Sequence, residues 1–148
     1  MIGKKALLIL FVLSLAGSNL YTAQPDDALK KVLSDYIGLY KKETLNEWKE
    51  LFHPSLMVFF PSDNGEVNVR NLNEFFERQQ NYFAKRKSIS ERLENVQIFQ
   101  GRRIARIVAD FIFIDEGVEK SGKLGLHLVE GPQGWKIVSV VFSYDQIS

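Results

Sequence analysis

The sequence contains no cysteine, only four prolines and two tryptophans, and no block of charge of one sign. Without thiols it has no disulfide framework, no thiolate nucleophile, no cysteine-bound metal and no bacterial lipid anchor. Its 19 basic and 18 acidic residues leave a net charge of +1, which supplies no electrostatic footprint for nucleic acid or an anionic membrane. The one basic run, Lys85-Arg86-Lys87, suits the solvated C-terminal end of a helix. A glycine-rich phosphate loop, a nucleophile elbow and a dinucleotide fingerprint are also missing, so no cofactor is implied. The two histidines, His53 and His127, have no spaced carboxylate cluster beside them and define no metal site.

One long apolar run is present. Lys4 and Lys5 precede Ala6-Leu-Leu-Ile-Leu-Phe-Val-Leu-Ser-Leu-Ala16, and small and polar residues follow, which is the layout of an export signal. As a helix this run would span ~17 Å, well short of the ~30 Å hydrocarbon layer, so no stable membrane insertion is expected once the signal is removed. Ala16-Gly17-Ser18 places cleavage near residue 18, and Tyr21-Thr22-Ala23 near residue 23. The expectation is a signal over residues 1–23, an exported protein in a periplasm or outside the cell, and one domain over residues 24–148. A domain of this size can be held by its core without staples.

Pro25-Asp26-Asp27 opens a first helix whose apolar stripe runs Leu29, Val32, Leu33, Tyr36, Ile37 and Tyr40. Gly38 within it predicts close approach by a neighbouring backbone, or else a weak spot. Thr44 and Glu47 have the spacing of a capping box for a second helix carrying Leu45, Trp48, Leu51 and Phe52. His53-Pro54 ends it and sets His53 at a corner before the strand Leu56–Phe60. After the turn Pro61–Gly65 and a short strand Glu66–Val69, Asn71 and Glu74 cap a third helix bearing Phe75, Phe76, Tyr82 and Phe83.

From Ser88 the period changes to that of strands, near 89–99, 103–114, 123–129 and 135–144, with short links that imply an antiparallel meander. The odd residues Ala105, Ile107, Ala109, Phe111 and Phe113 form a plain core face. The even face mixes aliphatic residues with Arg106 and Asp110. The closing strand from Trp135 is apolar on both parities and is expected inside the sheet, covered on both faces.

This order of elements, with Trp48-Lys-Glu-Leu-Phe-His-Pro54 and Gly134-Trp-Lys-Ile-Val-Ser-Val-Val-Phe142, resembles the nuclear transport factor 2-like superfamily, closest to its SnoaL-like and ketosteroid-isomerase-like branches. The resemblance implies an α+β fold: a cone-shaped barrel of a curved, mainly antiparallel sheet packed against three N-terminal helices. It also implies a pocket between sheet and helices and a homodimer through the outer sheet face. Function is not fixed by this fold, which hosts isomerases, cyclases, dehydratases and binding modules.

Asp110, mid-strand among apolar neighbours, is a candidate general base if enclosure raises its pKa, or else half of an ion pair with Arg106 or a cross-strand cation. His127, on the same mixed face, would join it as an acid–base pair, or serve as a hydrogen-bonded structural histidine. Tyr36, Tyr40, Trp48, Phe59 and Phe75 are the candidates for lining a ligand pocket. The leading functional expectation is an exported, non-catalytic domain binding a small apolar or ring-containing ligand. The alternatives are an acid–base isomerase, cyclase or dehydratase, and a structural dimerisation domain.

Overall fold

The computed structural model describes residues 24–145. The expected signal over residues 1–23 lies outside the described residues. Asp26 starts α1 (Asp27–Gly38), its carboxylate accepting a hydrogen bond from the Leu29 N–H at 2.6 Å and so satisfying one of the helix's free donors. A 3-10 turn over Lys42–Thr44 leads into α2 (Leu45–Lys49), followed by β1 (Phe52–Pro61) and β2 (Val67–Asn71). Asn71 and Glu74 close the expected capping box on α3 (Leu72–Lys85). The meander is β3 (Ile89–Gln100), β4 (Ile104–Asp115), β5 (Val118–Gly131) and β6 (Gly134–Tyr144).

The six strands form one sheet in the order β2-β1-β6-β5-β4-β3. All neighbours are antiparallel except β1 and β6, which run parallel. The sheet is open, with β2 and β3 at its edges, and is not closed into a barrel. The three helices cover one face, and the core lies between: Leu29, Trp48, Leu56, Ile107, Leu126 and Ile137 are each no more than 2% exposed. The odd residues of β4 all point into this core, as their spacing predicts. Among the described residues no helix is long and apolar enough to cross a membrane.

Several local expectations are corrected. Thr44 makes no cap to α2, because its hydroxyl reaches back to donate to the Leu39 carbonyl at 2.8 Å. The second helix therefore shrinks to Leu45–Lys49, and the chain is already extended at Phe52, so His53 and Pro54 lie inside β1. Pro54 is tolerated there because the β1–β6 register shifts between Phe52 and Met57, where no ladder bond is required of it. A β-carbon at Gly38 would meet nothing within 4 Å, so of the two expectations there, close approach by a neighbour is not met, and the helix ends at this residue. The expected link over 116–122 is a two-residue turn, Glu116-Gly117, both with positive φ, which lets β5 begin at Val118.

Bulges decide which residues face the helices. In β6 the pairing skips Val138, so Trp135 and Ile137 lie inward before the bulge and Val140 after it. The two-sided apolar pattern of the closing strand is thus partly one inner face that changes parity midway. Asn95, at φ 50°, sits at the corresponding irregularity in β3, between Glu94 and Gln97.

Gly122 illustrates how tightly the inner face is built. A β-carbon there would lie 2.4 Å from the Phe111 ring and 2.3 Å from the Ser143 carbonyl. Gly122→Ala is expected to destabilise the protein by ~1–3 kcal/mol through overpacking, read as a lower urea midpoint. An unchanged midpoint would refute this account of the site.

Candidate functional site

Where the helices spread from the sheet, a cavity of about 300 Å³ remains, at the small end of the range for ligand pockets. α1 contributes Tyr36, and the turn that follows the helix contributes Tyr40, whose backbone N–H donates to the Ile37 carbonyl at 3.4 Å. From α2 comes Trp48, and from α3 come Phe75, Arg78, Gln79 and Tyr82, a second stripe of helical spacing. The sheet supplies Phe60 from β1, Arg70 from β2, Glu91 from β3, Phe111 and Phe113 from β4, and Val140, Phe142 and Tyr144 from β6.

Trp48 fixes the helical wall. Its indole Nε1–H donates to the Tyr36 carbonyl at 2.8 Å, and its ring lies 4.6 to 5.8 Å from those of Tyr36, Tyr40, Phe52 and Phe75. The Tyr40 hydroxyl donates to Gln79 Oε1 at 2.6 Å, and the Tyr82 hydroxyl to Asp115 Oδ2 at 2.8 Å. Among the described residues the hydroxyls of Tyr36 and Tyr144 have no hydrogen-bond partner; both residues line the cavity.

Glu91 is the titratable group that sequence reasoning missed. It shares the inward parity of Ile89 and Leu93, pairs with Phe113 of β4, and its carboxyl makes no hydrogen bond or ion pair among the described residues. Burial against the aromatic wall raises its pKa from 4.5 to about 7. The same enclosure, and next the charge of Glu91, push the phenols of Tyr36 and Tyr40 well above their ordinary range. Tyr144 is pushed up to about 12 by the same two causes in the same order. Close to neutral pH the cavity therefore holds protonated phenols and a carboxyl that exchanges its proton readily.

The expected acid–base pair is elsewhere. Asp110 lies on the outer face of the sheet, bonded to Lys123 Nζ at 2.6 Å and Asn95 Nδ2 at 2.7 Å, and these partners lower its pKa, Lys123 most. The ion pair is thus made across strands to Lys123 rather than along the strand to Arg106. His127 is exposed on that face, opposite Arg106 and Ser139, and is not brought to Asp110. Of the expected pocket residues, Tyr36, Tyr40, Trp48 and Phe75 line the cavity, whereas Phe59 has the outward parity of β1 and Phe60 takes its place. Among the described residues no three histidine, aspartate or glutamate side chains are grouped so as to hold a metal ion.

A family model described as the SnoaL-like domain matches residues 29–145, which span every element around this cavity. The chain belongs to the SnoaL-like domain family. Solved structures of the nuclear transport factor 2-like superfamily share the fold. A candidate dehydratase from Streptomyces avermitilis superposes with a TM-score of 0.67 at 14% identity, over 81% of this chain and 95% of that one. A candidate aromatic ring hydroxylase from Novosphingobium aromaticivorans gives 0.62 at 15% identity, over 81% and 88%. Bd1075 of Bdellovibrio bacteriovorus gives 0.67 at 10% identity, with 81% of this chain covering only 40% of that protein. At such identities the likeness shows the fold alone. No protein of curated function matches the sequence significantly.

In this SnoaL-like domain the signals for the missed residues were parity and helical spacing. Glu91 alternates with Ile89 and Leu93, and Arg78 stands three residues after Phe75 and four before Tyr82.

The raised pKa of Glu91 makes a stability prediction. The folded protein holds this proton more tightly than the unfolded chain, so the stability it contributes is complete below pH 4.5 and is lost as pH rises through about 7. The loss is at most ~3 kcal/mol, and water in the cavity reduces it toward ~1–2. Glu91→Gln should remove this dependence, so urea unfolding at about pH 5 and pH 8 should show the variant gaining on the wild type at the higher pH. Parallel pH profiles for the two proteins would contradict it.

Proposed function

We propose that this SnoaL-like protein is an exported small-molecule-binding domain whose cavity receives a ring-containing ligand. The observation that carries this reading is the aromatic cavity of about 300 Å³ kept open between helices and sheet. Phe60 and Phe142, stacked at 5.3 Å and only 11° from parallel, offer a flat wall suited to a ring. The run Ala6–Ala16 behind Lys4 and Lys5 supports export. Calorimetric titration with 2-naphthol should show binding that weakens about tenfold, ~1.4 kcal/mol, in Phe142→Ala and is unchanged in Asp110→Asn. Absence of binding to the wild type would reject the reading for ligands of this shape. Binding lost in Asp110→Asn but kept in Phe142→Ala would relocate the site.

A second reading, general acid–base catalysis, is favoured by Glu91 rather than by Asp110 and His127. A carboxyl with a pKa of about 7, sharing the cavity with a phenol that lacks a partner, is suited to moving a proton on a bound ring compound. Under this reading Glu91→Gln abolishes turnover of a converted ligand while leaving its affinity in place.

The outer face of the sheet supports an accompanying homodimer. Met57, Phe99, Val108 and Val141 are 39 to 44% exposed there, on β1, β3, β4 and β6, an apolar band broken by Arg106 and His127. Sedimentation should give a dimer for the wild type and a monomer for Val141→Glu; a monomeric wild type at micromolar concentration would remove the dimer.

A further inference from the structure

Two features of the cavity remain without a role in the reading above: Arg70 on β2 and Arg78 on α3 both line it, and both are cations. Neither makes an ion pair or a side-chain hydrogen bond among the described residues. Burial first, and then the neighbouring Arg78 charge, hold the Arg70 guanidinium below its usual range, so two like charges share this end of the site. Glu74 acts on Arg70 from nearby, but its carboxylate is engaged by the Asn71 N–H in the cap of α3 at 3.0 Å. Two like charges held close at one cavity repel each other, and an anion between them relieves that repulsion.

The position of this cationic end relative to the wall is equally specific. The Arg70 guanidinium lies over the Phe60 ring, 4.2 Å from its centroid, a cation–π contact that ties it to the stack. Phe60 is followed by Phe142 at 5.3 Å and Phe142 by Tyr144 at 6.0 Å, so a row of rings leads from the arginines toward the end occupied by Glu91. Glu91 acts by its charge on Tyr36, Tyr40 and Tyr144, and makes no ion pair with either arginine among the described residues.

We propose that the ligand is a planar ring compound bearing a carboxylate, with the carboxylate held by Arg70 and Arg78 and the ring lying along Phe60 and Phe142 toward Tyr144. This assignment rests on the cavity being a ligand site, and names the class of compound it takes. A guanidinium fork matches the two oxygens of a carboxylate, and the small cavity suits one or two fused rings.

The test compares 2-naphthoate with its neutral isostere 2-naphthamide by calorimetry, on wild type, Arg78→Gln, Arg70→Gln/Arg78→Gln and Arg70→Lys. The wild type should bind the acid at least about tenfold more tightly than the amide. The double variant should lose that preference while keeping its affinity for the amide, and Arg70→Lys should retain part of it. Arg78 is exposed on its helix, so Arg78→Gln keeps the test independent of folding at Arg70. Equal affinity of the wild type for acid and amide would overturn the assignment while leaving the pocket reading intact. So would a preference that survives in the double variant. Loss of both probes in folded Arg78→Gln would show that the arginine holds the wall and not the anion, and would also overturn it. Failure of both probes to bind the wild type would overturn the pocket reading and this assignment together.

Discussion

The burial of Trp48 is the constraint on which the rest of the molecule depends. Its ring is 2% exposed, and it meets rings from α1, β1 and α3, so one side chain on a five-residue helix ties its two neighbours in the chain to the third helix. So short a helix has no stability of its own. It exists because the indole needs both the apolar surroundings and the Tyr36 carbonyl, and the hydrogen bond at 2.8 Å satisfies a donor that would otherwise be costly to bury. By fixing the end of α1, that bond also sets where Tyr36 and Tyr40 point. The shape of the cavity follows from a packing requirement in the core behind it.

The cavity is polarised along its length. At one end phenols and a carboxyl crowd one another in a medium that disfavours ionisation, and at the other two guanidiniums carry charge at the rim. Among the described residues neither arginine makes an ion pair with Glu91. A compound with an acidic group at one extremity and a hydrogen-bonding group at the other would meet complementary surroundings at both. The outer face of the same sheet carries its charges in water: Asp110, Lys123 and Glu119 with Arg92 make ion pairs that are worth little and mark no chemistry.

Much of the fold was legible in the sequence because it is written in periodicity. The α1 stripe, the Asn71–Glu74 cap and the odd face of β4 each appear where their spacing puts them. What could not be read depends on single residues of register. The bulges near Asn95 and Val138 each invert the parity that follows, and the sequence does not announce them strongly. For the site, the aromatic residues on helices were found because helical spacing is robust. Asp110 attracted attention as the polar residue in an apolar strand, yet its neighbours Ile112 and Val108 face outward with it. Glu91, in a strand already rich in charge, gave no contrast against Glu94 and Arg92, though it alone of the three turns inward. Arg70 and Arg78 likewise resembled ordinary surface cations until β2 and α3 were brought to one rim. Phe59 and Phe60 are adjacent, and only the strand's parity decides between them.

The parallel pairing of β1 with β6 joins the first strand of the described chain to its last. Until β6 is present, the β1–β2 hairpin and the β3–β5 meander are two separate sheets with no hydrogen bond linking them. That pairing closes a loop of most of the domain, a contact of high order that costs more chain entropy than either local hairpin. Without β6 two edges are open, on β1 and on β5, and both match a strand of the character of β6. The same strand in a second copy of the chain would match them equally well, so exchange of β6 between molecules is the misassembly this strand order would permit, and dilution during refolding would oppose it.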